Sequence, residues 1–410
     1  MKGATVGALD GLVVLDLSRI LAGPYATQML ADLGAEVWKV ESPWGDDTRR
    51  WGPPFREGES AYFLSANRGK KSLAINLKEP RGQRIVRRLA ERADVLVENF
   101  KVGDLARYGL DYPRLAEVNP RLVYASITGF GQTGPRAAEP GYDAALQGMT
   151  GIMSVTGEPD GPPTKVGVAW IDVLTGLTAA VGILAALRER DVSGRGQHLD
   201  LALFDVGVAA MVNQAQAYLM TGVAPTRMGN AHPQIVPYQA FEARDKWFIL
   251  AVGNDTQYQR LTEALGRPDL WEDARFQTNA GRVEHREELV AELARIFHSR
   301  DRAAWLERLR AAGVPVTPVN DVGEALADPQ AEARGLLWEL VHPRLGPTPL
   351  LASPLQHMSR TPAAPTAAPP LLGQHTREVL AGALGLGAAE LERLEAEGVI
   401  RSAPVDENPG

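Results

Sequence analysis

An α/β protein, with a large domain on a parallel sheet and a smaller α+β domain, is predicted by three features of this 410-residue chain. Its first hundred residues alternate short Val/Leu/Ile runs with amphipathic stretches, the pattern of strands joined by crossover helices. Residues 221–240 then break the pattern with Pro, Gly and polar residues, as a linker or active-site loop does. Beyond them, one hairpin pattern and two helical patterns suffice for a compact second unit. The expected division is 1–220 for the first part of the large domain and 221–330 for the linker and small domain. Residues 331–410 then return to the large domain and close it with C-terminal helices.

Each element has a local cause. GLVVLDLS (11–18) is a short apolar run suited to a strand covered on both faces. AGPYATQMLADLG (22–34) starts a helix with Pro24 in its first turn, where a missing N–H is harmless, and stops it at Gly34. AEVWKVES (35–42) is the next strand, RGQRIVRRLAERA (81–93) a helix, and DVLVENF (94–100) and RLVYASITGFG (121–131) further strands. After SVTGEPDGPP a helix is expected from about Asp172 to Arg188, and SGRGQHLDLALFD (193–205) turns into one more strand or helix. In the smaller unit FEARDKWFILAVG (241–253) reads as a hairpin turning at Arg244–Lys246, followed by helices in GRVEHREELVAELARIF and DRAAWLERLRAAG. TPAAPTAAPP (361–370) is a stiff connector to two terminal helices, and ENPG a frayed end.

Composition excludes several function classes. A net charge of −7 gives no electrostatic case for nucleic acid or an anionic membrane. The absence of Cys removes thiol nucleophiles, disulfides and thiolate metal sites, and the seven scattered His form no HxH or HExxH pair, so no metal site is expected. The N-terminal stretch lacks the apolar core and cleavage site of a secretory signal, which makes the cytoplasm the expected location.

One stretch raises a chemical question. VGVAWIDVLTGLTAAVGILAAL (166–187) contains a single charged side chain, Asp172. A membrane span is disfavoured, since an Asp at a bilayer centre costs about 2.5–3.5 kcal/mol. Asp172 suits the N-cap of the Ala/Leu-rich helix, a satisfied buried carboxylate, or a desolvated nucleophile at a helix start. The residues around it do not choose among the three.

A dinucleotide cofactor is weighed because a strand–helix–strand start ends at Glu41, in the place of a ribose-gripping acid. The first turn reads SRILAGPYA, with one Gly in place of G-x-G-x-x-G, so the pyrophosphate nest is missing. There is no GxxxxGK[ST] either. Phosphates can still be held by side chains: Lys39, Lys70, Lys71, Lys78, Lys101 and Arg107 fall at or just beyond strand ends, although a solvated basic fringe has the same appearance.

An ordered series of segments carries a family resemblance over nearly the whole chain. They are DLSRILAGPYATQMLADLGAEVWKVE, GDDTRRWGPPF, NRGKKSLAINLK, ADVLVENF, SITGFGQTGP, GYDAALQGMTG, the Asp172 helix and SGRGQ. Together they resemble the class III CoA-transferases, the CaiB/BaiF group that includes formyl-CoA transferase. The resemblance implies a large Rossmann-like domain, a smaller domain, and an interlocked homodimer to which residues 221–240 and 361–370 contribute the crossings. It implies no tightly bound cofactor, with CoA thioesters and small carboxylic acids as substrates. Asp172 is the catalytic residue it implies, forming an aspartyl–acyl anhydride and then an aspartyl-CoA thioester.

Carried over by position, CoA contacts Leu21 and Ala22 in the first turn, Ser42 near the adenosine, Ile75 to Lys78, then Asn99, Phe100, Lys101, Arg107 and Tyr142. Leu21 and Pro140 stand where formyl-CoA transferase has Gln and Lys, and its Gly-rich loop is replaced by RMGNAHPQIVPYQAF. Formyl-CoA and oxalate are therefore disfavoured. The segment GNAHPQIVPYQAF is similar to that of relatives using succinyl-CoA and dicarboxylates, with Arg227 and His232 as candidates for a distal carboxylate. A 2-methylacyl-CoA racemase is the alternative within the fold, but it uses a His where Tyr142 stands, and a phenol of pKa ~10 is a poor base at neutral pH. A non-catalytic CoA-binding protein is the alternative outside enzymes.

Overall fold

The structure is a computed structural model that describes residues 7–403. It separates into two compact units. The larger comprises the chain up to Gly151, Val166–Ala215 and Gln330 onward; the smaller comprises Ile152–Lys165 and Gln216–Pro329. The smaller unit thus takes in residues 152–165, well ahead of the loop at which the sequence marks its start. The reason is local. Arg227 donates to the carbonyls of Glu158, Pro159 and Gly161, and Gly229 N–H to that of Gly157, so the GEPDG turn is tied to the 227–229 segment.

In the larger unit six parallel strands form the sheet: β1 (Val13–Asp16), β2 (Glu36–Glu41), β3 (Lys70–Ile75), β4 (Val95–Glu98), β5 (Val123–Thr128) and β6 (His198–Ala202). Their spatial order is β3-β2-β1-β4-β5-β6, and the C-terminal strand Ile400–Arg401 adds antiparallel to β3. In register, Val14 faces Val37 on one side and Val95 on the other. The order reverses between β1 and β4, and in such sheets ligands bind at the carboxyl ends of the strands beside that switch point. Leu15, Leu17, Val40, Leu73, Ile75 and Leu96 join the helix Pro80–Ala90 and the two terminal helices, Thr376–Leu384 and Ala388–Ala396, in one core.

Three helices position the site: α1 (Ala22–Asp32), α2 (Asp143–Met149) and α3 (Trp170–Ser193). By length and composition α3 could cross a membrane, yet it is a core helix of this unit, with Ile171, Thr175, Ala179, Ala180 and Ile183 buried. Gly176 is required where α3 meets α1, because a Cβ there would lie 2.7 Å from the Ala22 carbonyl.

The smaller unit has a three-stranded sheet in which Tyr238–Glu242 pairs antiparallel with Trp247–Ala251, the expected hairpin, and Val316–Pro318 pairs on the far side. Phe241, Phe248, Phe297 and Trp305 form its aromatic core. The helix read over 281–297 is two, Asn279–Glu284 and Arg286–Phe297, divided at His285.

Several boundaries moved for identifiable reasons. The SGRGQHLDLALFD segment is both a strand and a helix, His198–Ala202 followed by Leu203–Ala209. β3 escaped recognition because its sequence, KKSLAI, opens with two Lys, of which Lys70 is fully buried by pairing with Asp16. A hairpin of Leu337–His342 and Gly346–Leu351 was masked by prolines in its second strand. The 361–370 connector lies on its own large unit, where Ala364 N–H bonds to Asp32 and Gly69 N–H to Ala367. The ENPG tail lies outside the described residues.

Candidate active site

Two clefts open at the carboxyl ends of the large sheet. One, of about 430 Å³, is walled by segments after β1, β2 and β3, including Ser42, Trp44, Ile75, Asn76 and Lys78. The other, of about 450 Å³, is walled by Leu21, Ala22, Asn99, Lys101, Pro140, Tyr142 and Asp172. They share Arg19, Asp47, Phe100 and Asp104, so they form one continuous groove past the switch point.

Asp172 is the third residue of α3 and half-buried at the groove wall. It does not cap its helix. The N-cap position is Ala169, which offers no side-chain bond. The cap comes from Asp143 at the start of α2, whose Oδ1 accepts the N–H of Ile171 at 2.8 Å and of Asp172 at 3.3 Å. Burial, reinforced by the neighbouring Asp143 charge, pushes the Asp172 carboxyl up to about 7. The three readings of the sequence resolve into a desolvated carboxylate whose helix is capped by another.

The turn after β1 is fixed from below. Ile20 has φ 72°, a left-handed conformation unusual for a β-branched residue. Its N–H points to the buried Asp46 carboxylate, and Asp46 in turn pairs with the buried Lys39 at 3.1 Å. Lys39 also donates to the Ser18 carbonyl, so the strained turn is held at several points. Asn99 exchanges two hydrogen bonds with the Arg19 backbone, at 2.9 and 2.7 Å.

The residues expected to line the CoA path therefore divide. Leu21, Ala22, Ser42, Ile75, Lys78, Phe100, Lys101 and Tyr142 line the groove. Asn99 also lines it, but its amide is engaged by Arg19, which makes it a clamp on the first turn. Arg107 lines neither cleft; it is exposed and paired with Asp104 one helical turn earlier.

Two lysines expected at a basic fringe lie in the interior. Lys39 and Lys70 are fully buried and neutralised by Asp46 and Asp16, and Lys71 bonds Glu36 and Glu378 at the surface. Glu41 is held by Arg49 through two 2.7 Å bonds and by Ser72, so it has no free oxygen for a ribose. In the smaller unit Arg227 is occupied by backbone carbonyls, and His232 stacks on Tyr238 while its Nδ1 accepts the Gln234 N–H. Sequence reasoning missed Arg19, Trp44, Asp47, Arg50, Asp104, Asp143 and Gln147. All seven fall in or near segments quoted for the resemblance, but only the fold shows which side chains face the groove and which brace it from behind.

Comparison with known proteins points to one family. The family model described as CoA-transferase family III matches residues 9–376. A succinate–glutarate CoA-transferase of Agrobacterium fabrum is 47% identical over 94% of this chain and 96% of its own length. A succinyl-CoA:glutarate CoA-transferase of Mus musculus is 43% identical over 96% of this chain and 90% of its own. The crystal structure of a CaiB/BaiF family protein from Brucella suis aligns with TM-score 0.85 at 47% identity, covering 92% of this chain and all of that one.

Proposed function

The chain belongs to CoA-transferase family III, and from that premise we propose that it moves CoA from succinyl-CoA to a dicarboxylic acid of the glutarate type, with Asp172 as covalent nucleophile. The observation that carries the substrate class is the pair of relatives, 47% and 43% identical over nearly the full chain, whose names give succinate or succinyl-CoA with glutarate. The observation that supports the nucleophile is Asp172, a desolvated carboxylate on the wall of the groove.

In this reading the adenosine end lies in the Ser42–Trp44–Lys78 cleft and the acyl end beside Asp172. The ionised Asp172 oxygen attacks the succinyl thioester carbonyl and expels CoA thiolate, forming a mixed anhydride. The thiolate then attacks the Asp172 carbonyl of that anhydride, releasing succinate and leaving an Asp172–CoA thioester. The acceptor carboxylate attacks this thioester, the thiolate leaves, and its return to the acceptor's carbonyl restores Asp172. The anhydride is kept from hydrolysis if the bound substrates exclude water, because the cleft wall mixes Leu21, Ala22, Ile127 and Leu203 with charged residues such as Arg19, Lys101 and Glu139. Tyr142, largely exposed at the groove, is placed to pack on the pantetheine arm. No His lines the Asp172 cleft, which favours transfer over racemisation.

A panel of acyl-CoA donors against carboxylic acids, with product masses recorded, tests the assignment. Succinyl-CoA with glutarate should rank first, and preference for formyl-CoA with oxalate would refute the substrate class. The same reading includes an interlocked homodimer. The helix Val212–Thr221 has no buried residue and exposes Leu219 and Met220, apolar surface that a second copy would cover. Sedimentation should give a dimer that persists on dilution; an active 44 kDa monomer would exclude it.

A further inference from the structure

The geometry points to Asp143, braced by Gln147, as the positioning residue of the nucleophile: one carboxylate binds the backbone that carries Asp172 and fixes the charge beside it. The inference rests on the reading of Asp172 as nucleophile.

The first N–H groups of a helix have no partner within it and need an acceptor from elsewhere. In α3 the Ala169 side chain cannot supply one, and Asp143 Oδ1 receives both Ile171 and Asp172. The other oxygen, Oδ2, accepts the Gln147 amide at 2.7 Å. Gln147 is fully buried, and it completes the brace: its Oε1 accepts Val166 N–H at 2.8 Å and its Nε2 reaches the Val168 carbonyl at 3.5 Å. The segment 166–172, which delivers the nucleophile, is therefore held at both ends by two residues one turn apart on α2.

The same carboxylate acts through its charge. Asp143 is the charged neighbour that opposes ionisation of Asp172, and the Tyr62 phenol, on the short helix Ala61–Ser65, faces the fields of both. The cleft wall also carries Arg19, Asp47, Lys101, Asp104 and Glu139. A more basic carboxylate is a stronger nucleophile once ionised, with a smaller ionised fraction below neutral pH. A cap of ordinary neutral type, Ser or Thr, would hold the backbone equally and leave out the second effect.

Three full-length proteins separate position from charge: wild type, Asp143→Asn, and Asp143→Asn combined with Gln147→Glu. The single substitution keeps an acceptor for Ile171 but turns an amide N–H toward the amide N–H of Gln147, breaking the brace. The double substitution restores every donor–acceptor pair of the brace except the long contact to Val168, with the charge moved away from Asp172. Two readouts are taken. One is the Asp172 carboxyl titration in ¹³C-Asp-labelled protein, assigned by the signal missing in Asp172→Asn. The other is single-turnover formation of the enzyme–CoA thioester from succinyl-CoA.

In Asp143→Asn the titration midpoint should fall by about one pH unit or more and thioester formation on the order of 100-fold. The double variant should recover the rate to within roughly tenfold of wild type while its midpoint stays low. An unchanged midpoint in Asp143→Asn overturns the inference, as does a lost rate that the second substitution fails to restore. If Asp172→Ala still forms the thioester, it is the nucleophile reading that fails, and the titration still reports whether Asp143 governs Asp172.

Discussion

Asp16 and Asp172 are both carboxylates withdrawn from water in the large unit, and they sit at opposite ends of the acidity scale. Asp16, at the end of β1, lies against Lys70 at 3.0 Å and also bonds Ser18 and Thr27. Burial works against its anion, but Lys70, Lys39 and those hydroxyls outweigh it and hold the carboxyl down at about 2. Asp172 meets the same burial with a second carboxylate for company, and it rises to about 7. Desolvation alone therefore does not decide whether a buried acid is a fixed structural charge or a reactive one. For these two the balance between burial and the charges and hydroxyls beside it does: opposite charges and hydroxyls outweigh burial at Asp16, and a like charge adds to it at Asp172. Lys70 shares the arrangement's tension: burial lowers it to about 8 although Asp16 favours its charge.

The sharpest way to break the contrast is to remove each carboxylate's role in turn. Asp172→Ala should lower CoA exchange by at least about 1,000-fold while CoA binding by calorimetry and the folded circular dichroism spectrum are retained. Undiminished turnover would end the proposed chemistry. On the structural side, Lys70→Met leaves Asp16 buried without its partner and should destabilise the fold by about 3–5 kcal/mol in denaturant titration. Removing both charges with Asp16→Asn and Lys70→Met should recover much of that loss; a single variant as stable as wild type would show that the pair is not held as ions.

Acidity sharpens the comparison further. With Asp172 titrating near 7, single-turnover thioester formation should rise with pH and level off above neutrality, being roughly tenfold lower at pH 6 than on the plateau. A rate already flat from pH 5 upward would contradict the raised acidity. The linked stability effects have opposite signs. Asp172, raised in the folded state, binds its proton more tightly there, so its contribution to stability declines as pH rises between about 4 and 7. Asp16, depressed in the folded state, stabilises above about 4, and that contribution is lost as pH falls toward about 2. Wild type compared with Asp172→Asn, and with the double variant at 16 and 70, separates the two slopes.

Much of this site was legible in the linear chain. Asp172 stands out as a lone charge in an apolar run, the first turn visibly lacks a pyrophosphate loop, and the residues after the early strands do line the groove. The signals that misled are equally physical. Lys39 and Lys70 look like a surface fringe because composition gives charge without burial. Asn99 and Arg107, named through the resemblance, are bonded to the Arg19 backbone and to Asp104, partners that position along the chain does not reveal.

What the sequence by itself determined was the alternation that builds a parallel sheet, the helix on which Asp172 rides, and a chain without thiols or a dinucleotide loop. Those properties follow from periodicity and residue type, which act within a few residues. Tertiary structure alone decided that Asp143, 29 residues from Asp172, caps its helix, and that Lys70, 54 residues from Asp16, neutralises it. Both pairings depend on strand order and on which helix start comes to rest beside which. Periodicity carries no information about that order, and with it came the acidity that divides one buried aspartate from the other.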